Sequence, residues 1–260
     1  AVSPDGTKAY VTTGTSNTVS VINTITKTVI ATIAVGTNPQ QVAVSPDGTK
    51  AYVTNNSDDV SVINTTDNTV IATIGVGINP WGVAFSPDGT KAYVANFVSH
   101  TVSVLNATTN TFSVNIPVGD NPYAVAVSPD GTKVYVTNSR DDTVSVINTT
   151  TNNVDATITV GSDPLGMASS PDGTKAYVTN FSDDTVSVIN TTTNNVDATI
   201  TVGLEPYGVA VSPNGTTAYV ANSFSNTVSV IDLRANASAS ADPGVPGIFL
   251  TVAGPVGRSA

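Results

Sequence analysis

NPYAVAVSPDGTKVYVTNSRDDTVSVINTTTNNVDATITVG, residues 121–161, holds the pattern on which the fold turns. Ser128-Pro129-Asp130-Gly131 is turn chemistry: Pro presets the dihedral of the second position, Asp suits the third and Gly closes the turn. On either side lie short runs of Val, Ile, Thr and Tyr, the β-branched and aromatic residues that fit a pleated surface. No stretch of ten residues carries helical periodicity.

The stretch recurs. Ser-Pro-Asp-Gly begins at Ser3, Ser45, Ser86, Ser128 and Ser170, and Ser-Pro-Asn-Gly at Ser212, in steps of 42, 41, 42, 42 and 42 residues. Residues 135–164 and 177–206 are identical at 26 of 30 positions. One copy predicts four strands, Gln41–Ser45, Lys50–Thr54, Val60–Asn64 and Val70–Val76, with a polar hairpin at Asn64–Asn68 between the last two. A lone four-stranded sheet cannot bury both faces, so neighbouring sheets must stack. Six such units predict an all-β, six-bladed β-propeller of four-stranded antiparallel blades, about 42 residues each, its ring closed by strands from both termini. A linear β-solenoid is the rival, but it needs shorter coils and capping units.

The propeller is expected over residues 1–233. Ala1-Val2 is the tail of a first strand, and Thr227–Asp232 is a third strand without an evident fourth. Residues 234–260 read as an Ala/Ser/Pro/Gly linker with a closing outer strand at about 248–254, or as the start of a truncated further domain.

The chain has 260 residues, with 9 Lys plus Arg against 19 Asp plus Glu, a net charge of −10. That balance excludes nucleic acid as a partner, because phosphates need clustered cations. The chain has no Cys, hence no disulfide and no thiolate chemistry, and no apolar run long enough to span a membrane.

The repeat resembles the YVTN-repeat β-propellers, named for the Tyr-Val-Thr-Asn found here at Tyr52–Asn55, Tyr135–Asn138 and Tyr177–Asn180, with variants at Tyr10, Tyr93 and Tyr219. The resemblance covers residues 1–232. It implies similarity to propeller modules of surface-layer and secreted proteins: an extracellular or cell-surface, non-catalytic binding or structural module, monomeric within a larger protein, whose partner is a cell-surface protein or polysaccharide. Related propellers include lactonase-like and lyase-like enzymes with a metal in the central channel, and that is the alternative reading. The matching inner strands here read Val42-Ala43-Val44, Val83-Ala84-Phe85 and Met167-Ala168-Ser169, without acids. Catalysis also has only one His, His100, and one Glu, Glu205, to draw on.

Two loops vary between copies, one before each first strand and one joining strands two and three. In a propeller both open on the same face. That face would collect Trp81, Tyr123, Tyr207, Phe97, Phe181 and Phe224, with Asp142 and Asp184 among the acids, as a ligand-binding rim. Rings that stack beside polar groups that orient hydroxyls or amides suit a sugar or an extended peptide. The acid pairs containing Asp58, Asp59, Asp141 and Asp183 are candidate Ca²⁺ ligands, but EF-hand spacing is lacking. The rival reading is a solvated rim in which Asp accepts backbone N–H bonds. The turn aspartates Asp5, Asp47, Asp88, Asp130 and Asp172 read as structural, since Asn214 replaces the sixth.

Overall fold

The computed structural model describes residues 1–234 and 250–253. Among them the chain forms six antiparallel sheets in succession, the blades of a β-propeller, and one 3-10 turn at Gly14–Ser16. The second blade is typical, running Pro39–Val44, Lys50–Asn55, Asp59–Asn64 and Thr69–Gly75 from the inner to the outer edge. These lie within two residues of the strands expected from sequence. Inner strands of the next four blades are Pro80–Phe85, Pro122–Val127, Pro164–Ser169 and Pro206–Val211. The first blade has three strands, Lys8–Thr13, Thr18–Asn23 and Thr28–Ala34, and only a Val2–Ala9 bridge where an inner strand would stand. Leu250–Ala253 pairs antiparallel with Val228–Ile231 as the outer strand of the sixth blade. The linker expected over the rest of 234–260 lies outside the described residues.

The inner turn is closed locally. Gly48 adopts φ +73°, which a side chain would resist, and its N–H donates to the Ser45 carbonyl at 2.8 Å. Ser45 Oγ donates to Asp47 Oδ1 at 2.6 Å, and the Thr49 N–H donates to the same oxygen at 3.0 Å. Such bonds span two to five residues, so each copy builds its hairpin without help from the rest of the ring.

Blades are joined by burial. Tyr52, Val60, Val62 and Ile74 of the second blade pack on Val83, Ala92, Val94 and Leu105 of the third. Four similar clusters seal the other joints from the first blade to the sixth. Burying one such side chain is worth about 1.5–3 kcal/mol, so these walls dominate the stability. Lysines add a latch: Lys8, Lys50, Lys91 and Lys133 donate to the Thr65, Ala107, Thr149 and Thr191 carbonyls of the next blade at 2.6–2.9 Å.

The joint between the sixth and first blades differs. Tyr219 is 47% exposed and Val11 46%, whereas Tyr52, Tyr93, Val53 and Val94 at the matching positions are fully buried. Among the described residues no hydrophobic cluster and no hydrogen bond crosses this joint. Thr217 also stands where the other blades carry the latch lysine.

Candidate functional site at the channel mouth

Each inner strand is preceded by a tight loop ending at Pro. The residue before Pro lies in the left-handed region at Asn38, Asn79, Asn121, Asp163 and Glu205. Asn and Asp tolerate that region best, and Glu205 adopts it at a cost. Behind each loop sits the Asn of Tyr-Val-Thr-Asn. Asn138 is fully buried, and its Nδ2 donates to Thr143 Oγ1 at 3.0 Å and Ser145 Oγ at 2.9 Å. A Cβ on Gly119 of the loop would meet the Asn138 side chain at 2.7 Å, so the motif Asn and the loop Gly form one packing unit.

The second loop of each of the first five blades reaches the first loop of the next. Asn17 Oδ1, Asp58 Oδ1, Asp142 Oδ1 and Asp184 Oδ1 accept the backbone N–H of Asn38, Asn79, Asp163 and Glu205 at 2.8–2.9 Å. His100 fills the same position, its Nδ1 accepting the Asn121 N–H at 3.0 Å with Asp120 Oδ1 3.5 Å away. Nδ1 as acceptor places the proton of the neutral ring on Nε2. Within single blades, Asp141 and Asp183 accept the N–H of Asp120 and Ser162 at 2.7 Å. Asp59 accepts from Asn55 Nδ2 and Ser57 Oγ at 2.7 and 2.8 Å. The paired acids therefore clasp loops, each turned to its own N–H or hydroxyl donors. Among the described residues no three His, Cys, Asp or Glu side chains gather as a metal site requires.

Aromatic side chains do gather. Trp81 and Tyr123 have ring centroids 4.6 Å apart at 32°, and Tyr123 meets Tyr207 edge-on at 5.8 Å. The two tyrosine hydroxyls hydrogen-bond each other. Phe97 lies 6.2 Å from Trp81, and Phe181 lies 6.5 Å from Tyr207. These spacings suit edge-on and offset aromatic pairs. Five of the six sequence-chosen aromatics thus form one continuous chain over the third to sixth blades. Phe224, 66% exposed, stands apart. The second blade presents Thr37, Gln40 and Ser57 at the corresponding loops, so the aromatic side of the mouth, over four blades, adjoins a polar one.

Three features escaped the sequence reading. The Trp81 indole Nε1 is buried and has no partner among the described residues. Gly82 and Gly166 let the next inner strand come close, since a Cβ there would meet the Tyr123 and Tyr207 carbonyls at 2.5 and 2.4 Å. Gln41, at the position of Gly82, instead accepts the Val83 N–H at 2.7 Å. The signal for the glycines was the missing side chain at one inner-strand position, which reads Gln41, Gly82, Ala124, Gly166 and Gly208 along the chain. Nothing in the repeat pointed to the indole.

The mouth and the turn rim differ in charge behaviour. Asp163 is pushed up from the ordinary carboxylate range, chiefly by burial and then by the charge of Asp142. Burial also raises the Tyr207 phenol.

A succession of four-stranded blades with this mouth defines a β-propeller, and comparison with known proteins agrees. Residues 89–182 match the family model for YNCE-like beta-propellers, consistent with a propeller of the YVTN type. A chain of Kuenenia stuttgartiensis hydrazine synthase superposes with a TM-score of 0.64 at 22% identity, covering 89% of this chain and 94% of that one. A functionally unknown protein from Desulfotomaculum acetoxidans DSM 771 superposes with a TM-score of 0.78 at 20% identity, covering 86% of this chain and 75% of that one. Likeness at these identities concerns the fold alone. No curated protein matches the chain.

Proposed function

We propose that the chain is a non-catalytic binding module that acts outside the cell or at its surface, with a glycan or a protein as its ligand. The observation that carries this is the aromatic arc at the mouth, from Phe97 through Trp81, Tyr123 and Tyr207 to Phe181. Blade-to-blade packing does not require it, because the first two blades make the same joint without aromatics there. Ring faces supply area at low entropy cost, and the phenols of Tyr123 and Tyr207 supply polar handles. Acids held by loop N–H groups around the arc give the mouth a negative rim that favours neutral or cationic ligands.

The test is the double variant Trp81→Ala, Tyr123→Ala, screened on glycan arrays and against cell-surface fractions beside the parent chain. Binding should fall at least about tenfold, the loss of roughly one stacking contact. Unchanged binding with an unchanged circular dichroism spectrum overturns the assignment of this face.

A further inference from the structure

Charge is divided unevenly between the two rims. Every lysine stands at the turn rim or in the outer hairpins beside it, close to the turn aspartates. Among the described residues, Arg140 is the one permanent cation of the mouth loops.

The loops do not need the acids that surround it. The residue that clasps the next blade's loop is Asn17 in the first blade and Asp142 and Asp184 in the fourth and fifth, and each accepts a backbone N–H at 2.8–2.9 Å. A neutral amide oxygen therefore serves as well as a carboxylate, although Asp58 of the second blade is also charged. A second loop N–H is accepted by the hydroxyls of Ser57, Ser99 and Ser225 in three blades and by Asp141 and Asp183 in two. The left-handed residue before Pro is Asn38, Asn79 and Asn121 in three blades, but Asp163 and Glu205 in the last two. There the acids are disfavoured: burial and the charge of Asp142 work against ionised Asp163, and Glu205 strains its backbone. Three positions filled elsewhere by neutral residues thus carry charge in the fourth to sixth blades. The same blades hold Tyr123, Phe181 and Tyr207, the last exposed and the others half-buried. Crowded charge that the loops do not require, beside accessible rings, is relieved by opposite charge on a ligand.

On the reading of the mouth as the ligand face, we propose that its occupant is an extended, lysine- or arginine-bearing segment of a partner protein. Its cations lie over the rings of Trp81, Tyr123 and Tyr207 within the field of the acids. Alternate side chains of an extended segment stand about 7 Å apart, comparable to the 4.6–6.5 Å between neighbouring ring centroids of the arc, so successive cations meet successive rings. A neutral glycan would use the rings but not the charge.

The probe is a fluorescein-labelled peptide alternating Lys with Ala, read by anisotropy on the full chain beside a matched Gln/Ala peptide. The Lys peptide should bind at least about tenfold more tightly, and Trp81→Leu with Tyr123→Leu should weaken it about five- to thirtyfold. Asp142→Asn with Asp184→Asn keeps the clasp, as Asn17 does, and should weaken binding about threefold or more. Asp47→Asn with Asp130→Asn removes equal charge from the opposite rim and should change it by less than about twofold, because salt screens distant charge. Equal losses from the two rims would mean unspecific attraction to net charge and overturn the proposal, as would equal binding of the Gln peptide. Should the mouth variants fail to fold, exposed Arg140→Gln remains: it should tighten the Lys peptide about twofold, and unchanged or weaker binding overturns the proposal. A neutral glycan bound through Trp81, with no preference for the Lys peptide, overturns it while leaving the mouth as the ligand face. Binding of peptide and glycan alike that ignores Trp81 and Tyr123 removes that face as well.

Discussion

The two rims are built on the same strands and teach opposite lessons. At the turn rim the copies are nearly identical, and each Ser-Pro-Asp-Gly turn closes on bonds that span two to five residues. Ser hydroxyls and Thr amides stabilise the ionised forms of Asp5, Asp47, Asp88, Asp130 and Asp172, which therefore lie below the ordinary carboxylate range. At the mouth the copies diverge, bonds run between blades, and Asp163 is displaced the other way by burial and the nearby Asp142. Local closure leaves a surface uniform. Closure through neighbours lets each loop be shaped by what stands next to it, and that is where recognition has room to arise.

The sharpest way to break this comparison is to remove one anchor from each rim. Asn138→Ala strips a buried amide from the mouth and leaves Ser145 without its donor. It should cost about 2–3 kcal/mol in urea unfolding, the range for orphaning buried polar partners. Asp130→Ala at the turn rim removes solvent-screened bonds and should cost about 1 kcal/mol. Equal losses would mean that the mouth is no more interdependent than the turns.

Acid titration sharpens it further. With their folded pKa values depressed, the turn aspartates contribute stability that is complete above the unfolded carboxylate range. The contribution is lost as pH falls through that range to the folded values. Midpoints of urea unfolding should therefore drop between about pH 5 and pH 3, and Asp47→Asn with Asp130→Asn should flatten that drop. The smallest effect is expected at Asp163, whose raised pKa makes its charge a cost at neutral pH that is relieved on acidification. Asp163→Asn should raise stability slightly at pH 7 and leave it unchanged at pH 3. A decrease at pH 7 would show that the carboxylate makes a favourable contact at the mouth.

Most of the frame was legible in the chain. Ser-Pro-Asp-Gly, the alternation of Val and Thr and the 42-residue step gave the strands, the turns and the number of blades, and the variable loops pointed to the face where the aromatics meet. The acid pairs were legible as residues but not as clasps: Asp58 and Asn79 are 21 residues apart and belong to different blades.

What the sequence determined by itself rests on interactions between residues a few positions apart, because turn dihedrals and side-chain alternation depend on immediate neighbours. Only the tertiary structure decided that Tyr123 and Tyr207, 84 residues apart, would touch, that the Trp81 indole would be left without a partner among the described residues, and that Tyr219 would be exposed where Tyr52 and Tyr93 are buried. Those outcomes depend on how successive sheets curve around the axis, which is set by the packing of whole blades.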